Sequence, residues 1–178
     1  MDPFELHVRY GPPVVLAERV SSWLVPIQPR YHARLFPEAE GQGVLLPGCD
    51  AHGNSIRKAY LCHAPVRSLR KGDLLYFYKS TEQTVSVAGI VEDVRVLSDV
   101  EGIVRTAGKR TVYSAAEITE MAAGDRDVLV IGFRQVRVVS ERITVTELVA
   151  SGVVSGPPQS IQGIGQEGAA WLAKRMRS

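Results

Sequence analysis

Apolar residues along this chain fall in short runs separated by Gly, Pro and polar clusters, a pattern that predicts strands punctuated by short helices. Ser22-Trp-Leu-Val-Pro-Ile27 reads as a first strand. Pro29 opens a helix at its first turn, Tyr31, Leu35 and Phe36 supply its apolar positions, and Pro37 stops it. Residues 38–54 hold four Gly and little periodicity, so they read as a loop. Ile56 to His63 is a second strand and Leu74 to Tyr78 a third, entered through the turn pair Gly72-Asp73. Thr84 to Leu97 is long and β-branched. Its alternation changes phase: Val85 and Val87 are expected on one face, Val94 and Val96 on the opposite parity, which a one-residue bulge near Gly89 would produce. Val128 to Val139 behaves similarly around Gly132.

Three S/T-x-x-E spacings, Ser98 to Glu101, Ser114 to Glu117 and Thr144 to Glu147, read as capping boxes that start helices. A last helix is expected from about Gln166 to Arg177, with Trp171, Leu172 and Met176 on its buried face. Long strands bent at glycines let a small sheet turn corners and close. The expected fold is α+β and mainly β: a small, mostly antiparallel barrel, closed or partly open, with short peripheral helices.

Composition adds bounds. The chain has 178 residues, 45% of them hydrophobic and 22% charged, which suits one soluble domain. Residues 1–19 are read as an N-terminal extension and 20–178 as the barrel. No apolar run approaches the roughly 20 residues of a bilayer crossing, and the N-terminus lacks a basic segment leading into an apolar one. A cytoplasmic protein without membrane attachment is the expectation.

The formal net charge of +2 conceals segregation along the chain. Residues 28–79 carry eight Lys/Arg against four Asp/Glu, and 128–178 carry six against three, whereas 90–127 carry five against eight. Asn54 to Gly72 contains Arg57, Lys58, Arg67, Arg70 and Lys71 and no acid. If the basic segments share a face they form a patch suited to phosphate. Arg outnumbers Lys sixteen to five, which favours planar, bidentate recognition of phosphate or a base edge.

Catalytic and metal motifs are few. Gly163 to Gly168 matches G-x-G-x-x-G, but it follows Pro157-Pro158 and runs into the last helix, so it reads as a turn. Cys49, His52, Cys62 and His63 are zinc-type ligands, yet Cys62 and His63 are adjacent in a strand and leave opposite faces. The same alternation separates Cys62 from His63 as a nucleophile–base pair. No metal site and no cofactor is expected. Trp23, Tyr31, Tyr60, Tyr76, Tyr78 and Tyr113 fall in strands or just past them. Such rings either fill a core or, beside polar groups, stack an unpaired base.

The order of segments resembles the PUA-like superfamily and, within it, the EVE and ASCH-type domains. Ser22-Trp-Leu-Val is similar to the opening strand. Gly53-Asn-Ser-Ile-Arg-Lys58 is similar to the segment before the second strand, with Lys58 where Asn is usual. Lys71-Gly-Asp-Leu-Leu-Tyr-Phe-Tyr-Lys-Ser80 resembles the K-x-G-D-x-x-x-F-Y-x-S motif, with Lys79 where EVE domains often carry His. Val87 to Glu92 resembles the following strand and Val136 to Leu148, with Arg142-Ile-Thr-Val-Thr-Glu-Leu148, the strand and helix near the family's end, so the resemblance spans roughly residues 20–175.

The resemblance implies a nucleic-acid-binding module that holds a flipped, often modified base of RNA or DNA in an aromatic pocket. Carried over, the pocket residues are Trp23, Gln28, Tyr31, Ser55, Arg57, Tyr78 and Ser80, with Trp23 and Tyr31 or Tyr78 stacking and Gln28, Ser55 and Ser80 reading the base edge. Arg30, Lys58 and Lys79, with Arg57, would meet phosphate. Two other readings stay open. One is an ASCH-like hydrolase of a modified nucleoside or RNA using Lys79, Thr81 and Glu82. The other is an accessory domain of a catalytic partner or fused enzyme such as an acetyltransferase.

Overall fold

The computed structural model describes residues 2–10, 20–40 and 55–176. Six strands run in the order β1 (Ser22–Ile27), β2 (Arg57–Cys62), β3 (Leu74–Lys79), β4 (Thr84–Leu97), β5 (Val128–Thr144) and β6 (Gln162–Ile164). They form one sheet ordered β2-β5-β4-β3-β1-β6, curled into a half-barrel. Every ladder is antiparallel except that of β1 with β3. That parallel pair needs a crossover. The chain between them supplies it with α2 (Pro29–Leu35), a 3₁₀ turn (Pro37–Glu40) and β2.

The strands are buried on both faces, which is why their sequences read as apolar runs. One face carries Val25, Ile27, Leu75, Phe77, Val87, Ile131 and Phe133. It is covered by α2, by α3 (Val100–Ala107) through Ile103 and Ala107, and by α4 (Ala115–Ala122) through Ile118. The other face carries Leu24, Leu74, Tyr76, Tyr78, Val85 and Ile90. It packs on α5 (Val145–Ala150) through Leu148 and on α6 (Gln166–Arg175) through Leu172, with Met176 just beyond. Phe4 of α1 (Pro3–Tyr10) joins this second layer. Among the described residues no helix is long and apolar enough to cross a membrane.

The curl comes from β4 and β5, whose register slips at three places. A slip at Gly89 was expected, and one falls between Ala88 and Gly89. There a Cβ on Gly89 would lie 2.7 Å from the Phe133 ring, so only glycine lets β5 approach. Near Gly132 the extra residue is Glu92 on β4, and Asp93 turns its carboxylate into the space a Gly132 Cβ would fill. The third slip corrects the sequence reading. Val85 and Val87 do not share a face: Ser86 is an extra residue against β3, β5 passes four residues, 139–142, over the same interval, and the two valines enter different layers.

Two capping boxes form as read, at Ser114 with Glu117 and at Thr144 with Glu147. The third does not. Asp99, not Ser98, caps α3 by accepting from Gly102 N at 2.6 Å. A carboxylate one residue closer to the helix replaces the hydroxyl. Gln162–Ile164, overlapping the start of the glycine-rich run, is a short edge strand antiparallel to β1, so the run lacks the parallel strand a dinucleotide site needs. Trp171 is only partly buried in the last helix.

Candidate functional site

Tyr31 and His32 sit side by side in α2, and their side chains lead to two separate polar sites. Gln28 precedes the helix and Pro29 starts it, so both residues are presented by its first turn.

Tyr31 packs its ring on Tyr113, centroids 4.4 Å apart. Its hydroxyl donates to Glu117 Oε1 at 3.1 Å and accepts from Arg30 Nη2 at 2.9 Å. The exposed Arg30 lays its guanidinium 4.4 Å from the Tyr31 ring centroid and donates from Nε to Gln28 Oε1 at 3.1 Å. Glu117 is the acidic member of the α4 capping box. The Ser114 backbone N–H, donating at 2.7 Å, is the chief reason its carboxyl titrates at about 2. Burial, reinforced by Glu117, raises the Tyr31 phenol. These groups border a cleft of about 330 Å³ lined by Arg30, Tyr31, His63, Glu117, Glu120 and Met121. The His63 ring is anchored on the Asp127 carbonyl, Nδ1 at 3.1 Å.

His32 points into the sheet. Its Nε2 lies 2.8 Å from Ser86 Oγ and its Nδ1 2.8 Å from Glu40 Oε1. Lys79 Nζ donates to both Glu40 oxygens, at 2.7 and 2.9 Å, and pairs with Glu82 at 2.6 Å. Arg142 completes the cluster through Glu82 and, at 3.9 Å, Glu40. His32, Ser86 and Lys79 are 1–3% exposed. Burial pulls the imidazole down, with Glu40 working against it. Burial alone would raise Glu40 and lower Lys79; their mutual hydrogen bonds overcome it, holding the carboxyl low and the ammonium high.

The residues expected in one aromatic pocket do not converge. Arg30 and Tyr31 line the cleft, and Gln28 reaches it only through its hydrogen bond from Arg30 Nε. Tyr78 is 1% exposed in the opposite core layer, because it alternates with Phe77 along β3, so its ring offers no stacking face. Trp23 is tied to Asp73, Nε1 to Oδ2 at 2.9 Å, and lies against Gly163 at the far end of β1. Ser80 is exposed and its hydroxyl donates to the Ile27 carbonyl at 3.3 Å. Ser55 accepts from Arg57 N, and Arg57 pairs with Glu92 at 2.8 Å, at the other end of β2 from His63.

Two cations expected at phosphate are interior. Lys58 is 1% exposed, donates to the Leu35 carbonyl and lies 5.4 Å from the Phe36 ring. Lys79 is buried, and its pairing with two carboxylates raises its pKa, the opposite of what a lysine base requires. Thr81 is exposed in the β3–β4 turn. Burial lifts the Cys62 thiol to about 11, which disarms it as a nucleophile. Cys49 and His52 lie outside the described residues, among which no group of three metal-ligating side chains gathers.

Sequence reasoning missed Glu117, Glu40, His32 and Ser86. Ser86 did leave a trace, as a lone polar residue inside a β-branched run. The others are brought together only by tertiary packing.

No protein-family model matches the chain, and no curated protein sequence does. Solved structures do. The ASCH protein of Zymomonas mobilis is 14% identical at a TM-score of 0.63, over 86% of this chain and 94% of that one. A serine-to-alanine mutant of that protein gives 0.65 at 12% identity over the same shares. The chain has the PUA-like fold in its ASCH form. A hypothetical protein from Leishmania major matches the ASCH-fold domain less closely, at 13% identity and a TM-score of 0.52 over 90% of this chain and 97% of that one.

Proposed function

We propose that this ASCH-fold domain is a nucleic-acid-binding module that holds one unstacked base in the cleft between α2, the residue following β2, and α4. The observation that carries the reading is the Arg30 guanidinium lying on Tyr31 beside the ionised Glu117 carboxylate. A guanidinium plane backed by an aromatic ring is a stacking platform for a base. Carboxylates accept hydrogens from an exocyclic amino group, the contact that recognises cytosine N4. Glu117 and Glu120 therefore select an amino-bearing base of RNA or DNA, plain or modified so as to keep an amino hydrogen, and Met121 lines the apolar part of the cleft. Arg34, which pairs with Glu117 at 3.5 Å and is 45% exposed, is within reach of a flanking phosphate. At about 330 Å³ the cleft lies at the small end of ligand sites, sized for one base rather than a dinucleotide.

Fluorescence anisotropy with short single-stranded oligonucleotides tests this. Loss of a stacking contact costs about 1–3 kcal/mol, so Arg30→Ala is expected to weaken binding of cytosine-containing strands about 5–150-fold. Trp23→Phe is expected to leave it unchanged. Equal affinity of wild type and Arg30→Ala would overturn the reading.

A further inference from the structure

The buried cluster on the other side of α2 is separate from the base cleft and has its own chemistry. Ser86 Oγ, His32 and Glu40 form a hydrogen-bonded chain with both links at 2.8 Å, joined through opposite nitrogens of one imidazole. That is the arrangement of a nucleophile, a general base and the acid that orients the base. The backbone is built to aim the serine. On one side Phe77 pairs with Val87 and Tyr78 with Val85; on the other Val138 pairs with Val87 and Ile143 with Val85. Ser86 is thus an extra residue against β3, and on the β5 side it falls, with the four β5 residues 139–142, between two registered pairs. Bulges recur beside active sites, where they re-aim a side chain.

The cluster takes charged and titratable groups out of water. Taking ions out of water costs several kcal/mol each, and apolar replacements of buried ion pairs are often as stable or more so. Yet a lysine and an imidazole are held here at 1–3% exposure, with Lys79 clamping both oxygens of Glu40.

We propose that Ser86 is the nucleophile of an acyl-transfer site that cleaves small acyl esters with water, His32 being its general base. Ser86 Oγ attacks the ester carbonyl carbon while His32 Nε2 takes the hydroxyl proton. The carbon–oxygen bond to the leaving alcohol breaks, and that alcohol takes the proton from His32. Water then attacks the acyl-serine, gives a proton to His32, and releases the carboxylic acid as Ser86 recovers its hydrogen. Glu40 acts through His32 as a positioning residue: it accepts from Nδ1–H, keeps Nε2 free to accept, and stabilises the transient imidazolium. Lys79 in turn fixes Glu40. Desolvation keeps the resting imidazole neutral, as a base must be. Glu40, Glu82 and Arg142, whose side chains are 18%, 37% and 43% exposed, are the members of the cluster that reach solvent.

Intact protein is incubated with a fluorophosphonate and, separately, with p-nitrophenyl acetate, and adducts are mapped by peptide mass spectrometry. A single adduct on Ser86 is expected with each, absent in Ser86→Ala. His32→Gln is expected to slow labelling at least about 100-fold, the contribution of a positioned base, and to abolish the dependence of the rate on imidazole ionisation. That pH profile would not respond to a merely structural histidine. Ser86→Cys supplies a second check that keeps a nucleophile in place: its thiol should take up the acetyl group, more slowly when His32→Gln is added. A folded wild-type protein that gains no adduct at Ser86, or hydrolysis unchanged in Ser86→Ala, overturns the proposal.

Discussion

Phe77 and Tyr78 are consecutive aromatic residues whose rings enter different cores, and the Tyr78 hydroxyl is buried among the described residues without a hydrogen-bond partner. An unsatisfied buried polar group costs about 1–3 kcal/mol. Tyr78→Phe is therefore expected to stabilise the protein by about 1 kcal/mol, a rise in thermal midpoint of about 2–4 °C, and to leave oligonucleotide binding unaltered. A stacking role for Tyr78 predicts the reverse on both counts. Glu117 makes a second prediction. Its carboxyl titrates at about 2, below its ordinary 4.5, so the stability it contributes is complete above about 4.5 and is lost as the pH falls toward 2. Denaturation midpoints of wild type and Glu117→Gln should differ above pH 4.5 and converge as the pH approaches 2. A gap that persists undiminished to pH 2 would exclude this linkage.

At the level of elements, the caps show what a sequence can and cannot decide. Ser114 and Thr144 each had a hydroxyl at the cap and a glutamate three residues on, with nothing competing. Ser98 met the same pattern but stood next to Asp99, and the carboxylate took the helix start. Thr144→Ala and Asp99→Ala should each cost about 1 kcal/mol, whereas Ser98→Ala should be near neutral; chemical denaturation of the three variants separates them. Strand existence was legible from apolar runs, and two of the three slips in β4 from glycine and the change of phase. The slip at Ser86 was not, because Val85 and Val87 look like one face until both neighbours fix the register. The parallel pairing of β1 with β3 is equally silent in the sequence, since it depends on where a long crossover returns the chain.

At the scale of the whole molecule, several cations meet acids on folding among the described residues. Arg57 and Arg110 meet Glu92, Arg67 meets Asp127, Lys71 meets Asp2, Arg142 meets Glu82, and Arg175 meets Glu147. These pairs offset part of the positive charge, and the base binding we propose draws on a local site. The PUA-like fold forms the cleft by setting α2 against the half-barrel, with Tyr31 turned to α4 and His32 to the sheet. Fold alone carries no function; the base binding we propose rests on Arg30, Tyr31 and Glu117. The most direct test is a titration of isotope-labelled protein with cytidine monophosphate, followed by amide and Arg Nε chemical shifts. Perturbations gathered at Arg30, Tyr31, His63, Glu117 and Met121 are the result that base binding in this cleft predicts. Perturbations centred on Trp23 or Asp73, or none at millimolar ligand, would contradict it.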